Sequence, residues 1–270
     1  MDDFGAMAGR ACAWPRRLKQ GPVRYIRPEE LQSWIVREDP ELLVINKPGD
    51  VVCHPSKDGP WSSLVGAARE HTQLPVVHLV FRLDRETSGL VLLAKTSKTA
   101  SRLQKAMQNR KVRKTYLAIL TGDLANPVTV NQPLGDDTSS VVYMKSCVVE
   151  GGQPSVTHFL PLARGSGVTL ARVITETGRK HQIRAHAQWL GHGLIGDKIY
   201  GPDAQLFLDF INTGWTPQLE ARLHLRRQAL HCATIDLSEA GWTDPATIAA
   251  PIPSDLTDFL VSRGIPSGPW

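Results

Sequence analysis

The stretch Val80-Phe81-Arg82-Leu83-Asp84-Arg85-Glu86-Thr87-Ser88-Gly89-Leu90 sets one carboxylate, Asp84, between two arginines in a short polar segment. Apolar runs flank it, Leu74-Pro75-Val76-Val77-His78-Leu79 before and Leu90-Val91-Leu92-Leu93-Ala94 after, and both read as buried strands. Thr87-Ser88-Gly89 supplies turn chemistry and a residue free to take positive φ. An Asp between arginines is usually a surface ion pair. A polar loop at the end of core strands is also where sites are commonly built, and that makes Asp84 a candidate.

The chain around this loop has 270 residues, enough for one large domain or two small ones. Apolar residues make up 41% and charged residues 21%, an ordinary globular balance. Lys plus Arg number 31 against 26 Asp plus Glu, and the pI is about 9.1, so the surplus points mildly to a polyanionic partner. Cys12, Cys53, Cys147 and Cys232 are far apart and form no Cys-x-x-Cys pair. Neither a disulfide framework nor a zinc site fits that spacing, whereas reduced thiols in a cytosolic protein do. No apolar run approaches a membrane span, and the N-terminus lacks a signal core. Residues Met1 to Gly21 read as a loose arm, whose Arg16, Arg17 and Lys19 are placed to touch phosphates.

Downstream of the loop the charge pattern points to nucleic acid. No acidic residue lies between Glu86 and Asp123, while Lys95, Lys98, Arg102, Lys105, Arg110, Lys111, Arg113 and Lys114 all do. Ser97 or Thr96 caps an expected helix over about Lys98 to Asn109. Ala100, Leu103 and Met107 form its apolar side, leaving Lys98, Arg102 and Lys105 on a basic face. Most charge runs are solvated surface. An unbalanced run beside a candidate loop favours phosphate contact, which gives salt-dependent affinity without reading bases.

The remaining pattern is a succession of strands. Leu42-Leu43-Val44-Ile45 and, after a turn, Val51 to Ser56 read as two; Arg113 to Leu120 is another, with Tyr116 near its start. Asn131 to Gln153 is an excursion in which Val141-Val142-Tyr143 and Val148-Val149 are expected to pair. Val156 to Leu162 and Val168 to Thr175 follow as antiparallel strands across Gly165-Ser166-Gly167. Thr177-Gly178-Arg179-Lys180-His181-Gln182-Ile183-Arg184-Ala185-His186 leads into a helix ending near Gly191. Leu206 to Ile211 reads as an amphipathic surface element, and Asp255 to Val261 as a short helix. Gly191 to Gly196 spells a dinucleotide fingerprint, but it follows a helix instead of joining a strand to one, and the match is discarded. His181 and His186 are five apart, off zinc-protease spacing.

Several of these stretches resemble the RluA family of pseudouridine synthases, which isomerise uridine to pseudouridine in RNA. Arg82-Leu83-Asp84-x-x-Thr87-Ser88-Gly89 looks like its signature, with Phe81 where the family usually has His. Lys47-Pro48 through His54-Pro55 is similar to a first, supporting motif, with Asp50 where Gly is usual. Tyr116-Leu117-Ala118, preceded by Arg113 and Lys114, is similar to a second. Thr177 to His186, followed by Leu190-Gly191 and Gly196-Asp197-x-x-Tyr200-Gly201, matches a third almost residue for residue. The likeness runs from about Leu42 to about Leu256.

The resemblance implies an α+β fold: a mixed, mostly antiparallel central sheet in two merged halves with flanking helices. Some members of the family carry a small N-terminal RNA-binding domain; with too few residues before the core for one, no separate N-terminal RNA-binding domain is expected here. It implies that Asp84 is the catalytic residue, Arg184 its basic partner and Tyr116 a surface against the target base. Arg82, Thr87 and Ile183 then bind RNA or the base, with Lys98, Arg102, Lys105 and Arg113 as phosphate contacts. The expected layout is an arm over 1–24, a catalytic domain over 25–262 and a tail over 263–270. The expected partner is ribosomal or transfer RNA, met by a cytoplasmic monomer without cofactor, metal or membrane. An Asp beside an Arg stays ionised even where burial opposes it, which suits attack at a glycosidic carbon. Two rivals are an RNA-binding protein that has lost catalysis and a glycosidase, which needs two flanking acids.

Overall fold

A computed structural model describes residues 23–54, 58–268 and 270. Arg16, Arg17, Lys19 and Cys12 therefore lie outside the described residues. The first half of the chain forms α1 (Pro28–Trp34), β1 (Ile35–Glu38), β2 (Leu42–Lys47), α2 (Leu64–Thr72), β3 (His78–Leu79), β4 (Ser88–Ala94), α3 (Ser97–Gln108) and β5 (Arg113–Thr121). Then come β6 (Val128–Asn131), β7 (Leu134–Asp136), β8 (Ser146–Val148), β9 (Val156–Gly165), β10 (Val168–Thr175) and α4 (Gln182–Trp189). The chain closes with α5 (Gln205–Thr213), α6 (Pro217–Leu223), β11 (Leu230–Asp236), β12 (Thr247–Ala249) and α7 (Ser254–Ser262).

One sheet runs in the order β1-β2-β4-β11-β5-β10-β9-β6, with β3 and β12 added beside β4 and β11. All its pairs are antiparallel except β4 with β11, where His231 faces Ser88 and Cys232 faces Gly89. This seam joins the two halves, as expected. It is tight: Gly89 has φ +109°, and a Cβ there would lie 2.3 Å from the Cys232 carbonyl oxygen. Glycine alone meets both conditions.

Strand alternation sorts the core. Tyr116, Ala118 and Leu120 of β5 face the larger apolar cluster, which also holds Leu83 and Ile183. Leu117 and Ile119 face a smaller one with Leu256, Leu260 and Ile265. Ile265 is fully buried, so the packed body extends past the boundary expected at 262. No helix among the described residues is long and apolar enough to cross a membrane.

Three expected strands differ, each for a local reason. Only His78 and Leu79 of the 74–79 run pair with β4, because Pro75 lacks an N–H and Val76 lies exposed. Val51 to His54 forms no strand: its carbonyls are taken by Lys47 Nζ, at 2.9 Å from Val51 O, and by the amides of Leu64 and Val65. In the excursion the ladder joins Leu134–Asp136 to Ser146–Val148, not Val141–Tyr143 to Val148–Val149. Val142 instead turns inward against Ala185, Ile199 and Tyr200. The expected helices, one over about 98–109, one ending near Gly191 and one over 255–261, are present as α3, α4 and α7. Thr96 is the cap of α3, its hydroxyl accepting from the Thr99 amide at 3.1 Å.

Candidate active site

Asp84 opens a turn closed by the Thr87 N–H, which donates to the Asp84 carbonyl at 3.2 Å just before β4 begins. Lys47, at the end of β2 and with no exposed surface, steadies this loop from below. Its ammonium donates to the carbonyls of Pro48, Val51 and Arg85 at 2.8, 2.9 and 3.0 Å. Burial lowers its pKa to about 8. The first supporting motif thus acts through the backbone that carries Asp84.

Arg184 comes from α4, buried from Gln182 to Ala187. Its Nη1 donates to Asp84 Oδ2 at 2.8 Å. Its Nε and Nη2 form a two-pronged bond with Asp197, at 2.6 and 2.8 Å. Asp197 is wholly buried and also accepts the amides of Ile199 and Tyr200, each at 3.0 Å. One arginine therefore bridges two carboxylates, with one prong left for Asp84. Burial pushes the Asp84 carboxyl up, but the Arg184 charge and hydrogen bonds from Arg184 and Gln228 outweigh it, so the net shift is downward. Burial works against Arg184 as well, and its two carboxylates more than restore its charge. The Asp84 side chain is still 33% exposed: ionised, oriented and within reach of a substrate.

Tyr116 is buried and lies opposite Cys232 in the β5–β11 ladder. Burial, Cys232 and Asp84 all raise its pKa, so it remains a neutral phenol. Burial likewise pushes Cys232 up to about 12. Ile183 is buried in the same cluster as Tyr116 and Leu83. Thr87, expected at a base or RNA contact, is instead buried; its hydroxyl accepts from Gln228 Nε2 at 2.6 Å. Arg82 is exposed, with no hydrogen bond or ion pair among the described residues.

The basic run is less free than its spelling suggests. Arg102 lies over the Trp242 ring at 3.8 Å and donates to the Ala240 and Gly241 carbonyls. Arg113 pairs with Glu239, Arg110 with Glu176, and Lys95 with Glu38. Lys114 is buried against Phe81. Acids distant in sequence thus neutralise much of the run, which a linear charge count cannot see. Lys98, Lys105 and Lys111 remain exposed and unpaired among the described residues.

Sequence reasoning gave no role to three residues that complete the site. Asp197 lay inside the quoted third motif. Gln228, buried before β11, bridges Thr87 and Asp84, the latter at 3.4 Å. His181, just before α4, brings Nε2 to 3.9 Å from Asp84 Oδ2. No group of three or more His, Cys, Asp or Glu among the described residues is arranged to hold a metal ion.

The family model described as RNA pseudouridylate synthase matches residues 41–189, more than half of the chain and the span that holds Asp84, Tyr116 and Arg184. The chain belongs to that family. RNA pseudouridylate synthases are isomerases, and the RluA-type expectation agrees with the relatives found. Ribosomal large subunit pseudouridine synthase D of Haemophilus influenzae is 33% identical over 240 residues, 86% of this chain and 71% of that protein. The protein of the same name from Vibrio parahaemolyticus is 35% identical over 227 residues, 82% of this chain and 68% of its own. Human RNA Pseudouridylate Synthase Domain Containing 1 superposes with a TM-score of 0.63 at 25% identity, covering 80% of this chain and 82% of that one. Human RNA Pseudouridylate Synthase Domain Containing 4, at 23% identity, shares the fold with a TM-score of 0.69 over 89% of this chain and 97% of that one.

Proposed function

We propose that this pseudouridine synthase acts on uridines of large-subunit ribosomal RNA in the cytoplasm, as a monomer, with Asp84 as the catalytic carboxylate. The observation that carries the reading is the Arg184 bridge, which aims an ionised and still exposed Asp84 from a buried anchor. The choice of RNA follows the names of the similar bacterial proteins.

The reaction breaks the bond from N1 of uracil to C1′, turns the base and joins C5 to C1′. The C5 proton leaves and N1 takes one up, so atoms balance without redox or a phosphate donor. A base inside a stack is out of reach, so the uridine must swing out. Asp84 then meets the reacting sugar or base, while neutral Tyr116 and Ile183 offer an apolar surface to uracil. Arg82 is suited to fill the gap left in the RNA, its charge facing phosphate. Lys98, Lys105 and Lys111 track the backbone.

The test is a chemical pseudouridine map of a large-subunit transcript treated with the purified protein. Wild type should convert discrete uridines, whereas Asp84→Asn and Asp84→Ala should fall to background and bind RNA within about twofold of wild type. Equal activity in Asp84→Asn, or release of free uracil in place of pseudouridine, would overturn the assignment.

A further inference from the structure

The donors around Asp84 are distributed unevenly. Arg184 Nη1 at 2.8 Å, Gln228 Nε2 at 3.4 Å and His181 Nε2 at 3.9 Å all approach Oδ2. Among the described residues no hydrogen bond reaches Oδ1. One oxygen is held by the protein and the other is left for chemistry.

His181 reaches this position at a cost. Its φ is +55°, the left-handed region that non-glycine residues rarely occupy. The side chain is 12% exposed, and its Nδ1 lies 3.0 Å from the Tyr200 hydroxyl oxygen. Tyr200 is buried and its oxygen already accepts the Ser146 N–H at 2.7 Å. A buried hydroxyl proton needs an acceptor, and Nδ1 is placed to be it. Nδ1 then carries no hydrogen, so Nε2 carries it and presents an N–H towards Asp84.

We propose that Tyr200 and His181 form a relay that brings a neutral imidazole N–H to Oδ2 of Asp84, making His181 a positioning residue that leaves Oδ1 as the reacting oxygen. The relay rests on the reading of Asp84 as the catalytic carboxylate. The charged groups facing His181 are Arg184, Asp84, Asp197 and Lys180; burial and the adjacent Arg184 hold its pKa down at about 4. Neutrality matters here. An imidazolium would face Arg184 with like charge, whereas a neutral donor steadies the carboxylate without drawing off its negative charge. The relay requires the 3.9 Å separation to close to hydrogen-bond length when uridine is bound.

Single-turnover conversion of the transcript separates rate from the fraction of active enzyme. Asn tolerates the left-handed backbone but is too short to reach Asp84, while Gln restores a donor near the Nε2 position. His181→Asn should lower the rate constant about tenfold with RNA affinity within twofold, and His181→Gln should recover most of the loss. Tyr200→Phe keeps the ring and removes the hydroxyl. It should slow the otherwise native enzyme several-fold but add nothing in the His181→Asn background. A purely structural role would reduce the active fraction and thermal midpoint and leave the rate constant alone. Should the Asn variant not fold, the same cycle in the His181→Gln background reads the coupling. A full rate in His181→Asn, or Tyr200 and His181 effects that simply multiply, would overturn the relay. An inactive Asp84→Asn beside a fully active His181→Asn sinks the relay alone, whereas an active Asp84→Asn sinks the reading beneath it.

Discussion

At Asp197 the protein buries a full negative charge to hold one arginine still. Burial opposes that charge, and Arg184 with two backbone amides outweighs the opposition. Asp197→Asn keeps the shape but leaves Arg184 with only the half-open Asp84 to balance it. The expected loss is about 3 kcal/mol of stability, read from a shift in urea midpoint. Single-turnover activity should fall too, because Asp84 loses a fixed partner; an unfolding free energy within about 0.5 kcal/mol of wild type would refute the anchoring role. Asp84 and Arg184 were legible in the sequence because their motifs resemble a family. Asp197 was spelled out in the same motif, yet a separation of 13 residues follows no helix or strand period, so no spacing rule links it to Arg184. Gln228 is 144 residues from Asp84, and only the fold brings them together.

The element whose meaning changed most is α3. Its existence, cap and apolar stripe were legible because period and capping are local properties. Its charge was not, since Glu38, Glu176 and Glu239 arrive from other elements to neutralise neighbours of the helix. Arg102 is a clamp on Trp242 and the 240–241 turn, while Lys98 and Lys105 stay free. Charge reversal at Lys98, Lys105 and Lys111 together should weaken RNA binding and reduce the slope of log affinity against log salt by roughly 2 to 3. Arg102→Ala should leave that slope nearly unchanged and cost about 1 kcal/mol in a thermal melt. Equal slopes for the triple variant and wild type would remove this helix from the RNA-binding surface. The short strands differ for the opposite reason: Val51 and Val142 have strand chemistry, but Lys47 and the Tyr200 cluster claim their surroundings first.

For the whole molecule, acid sensitivity follows from buried imidazoles. His231 has no exposed surface; its Nε2 donates to the Ala250 carbonyl, and burial lowers its pKa to about 4, the value His181 also reaches. Folded imidazoles of this kind refuse a proton that the unfolded chain accepts below its ordinary pKa of 6.5. Their stability contribution is complete above pH 6.5 and drains as pH falls towards 4, by an amount on the order of 3 kcal/mol for His231. The lowered carboxylates Asp84 and Asp197 add their own loss only below about pH 4. Thermal midpoints should therefore fall steadily between pH 6.5 and 4.5; a flat profile there would contradict the burial of these rings.

The same-direction run of β4 and β11 has one more consequence, for the order in which a growing polypeptide becomes competent. Because both strands enter the sheet from the same end, the segments that precede them, with Asp84 and Gln228, arrive side by side. A nascent chain released only as far as the exposed Gly214 already owns Asp84, Tyr116 and Arg184 but lacks the neighbour that closes the seam. A cut at that glycine accordingly leaves Asp84 and Gln228 on different fragments, and the two must rejoin along β11 to restore the seam.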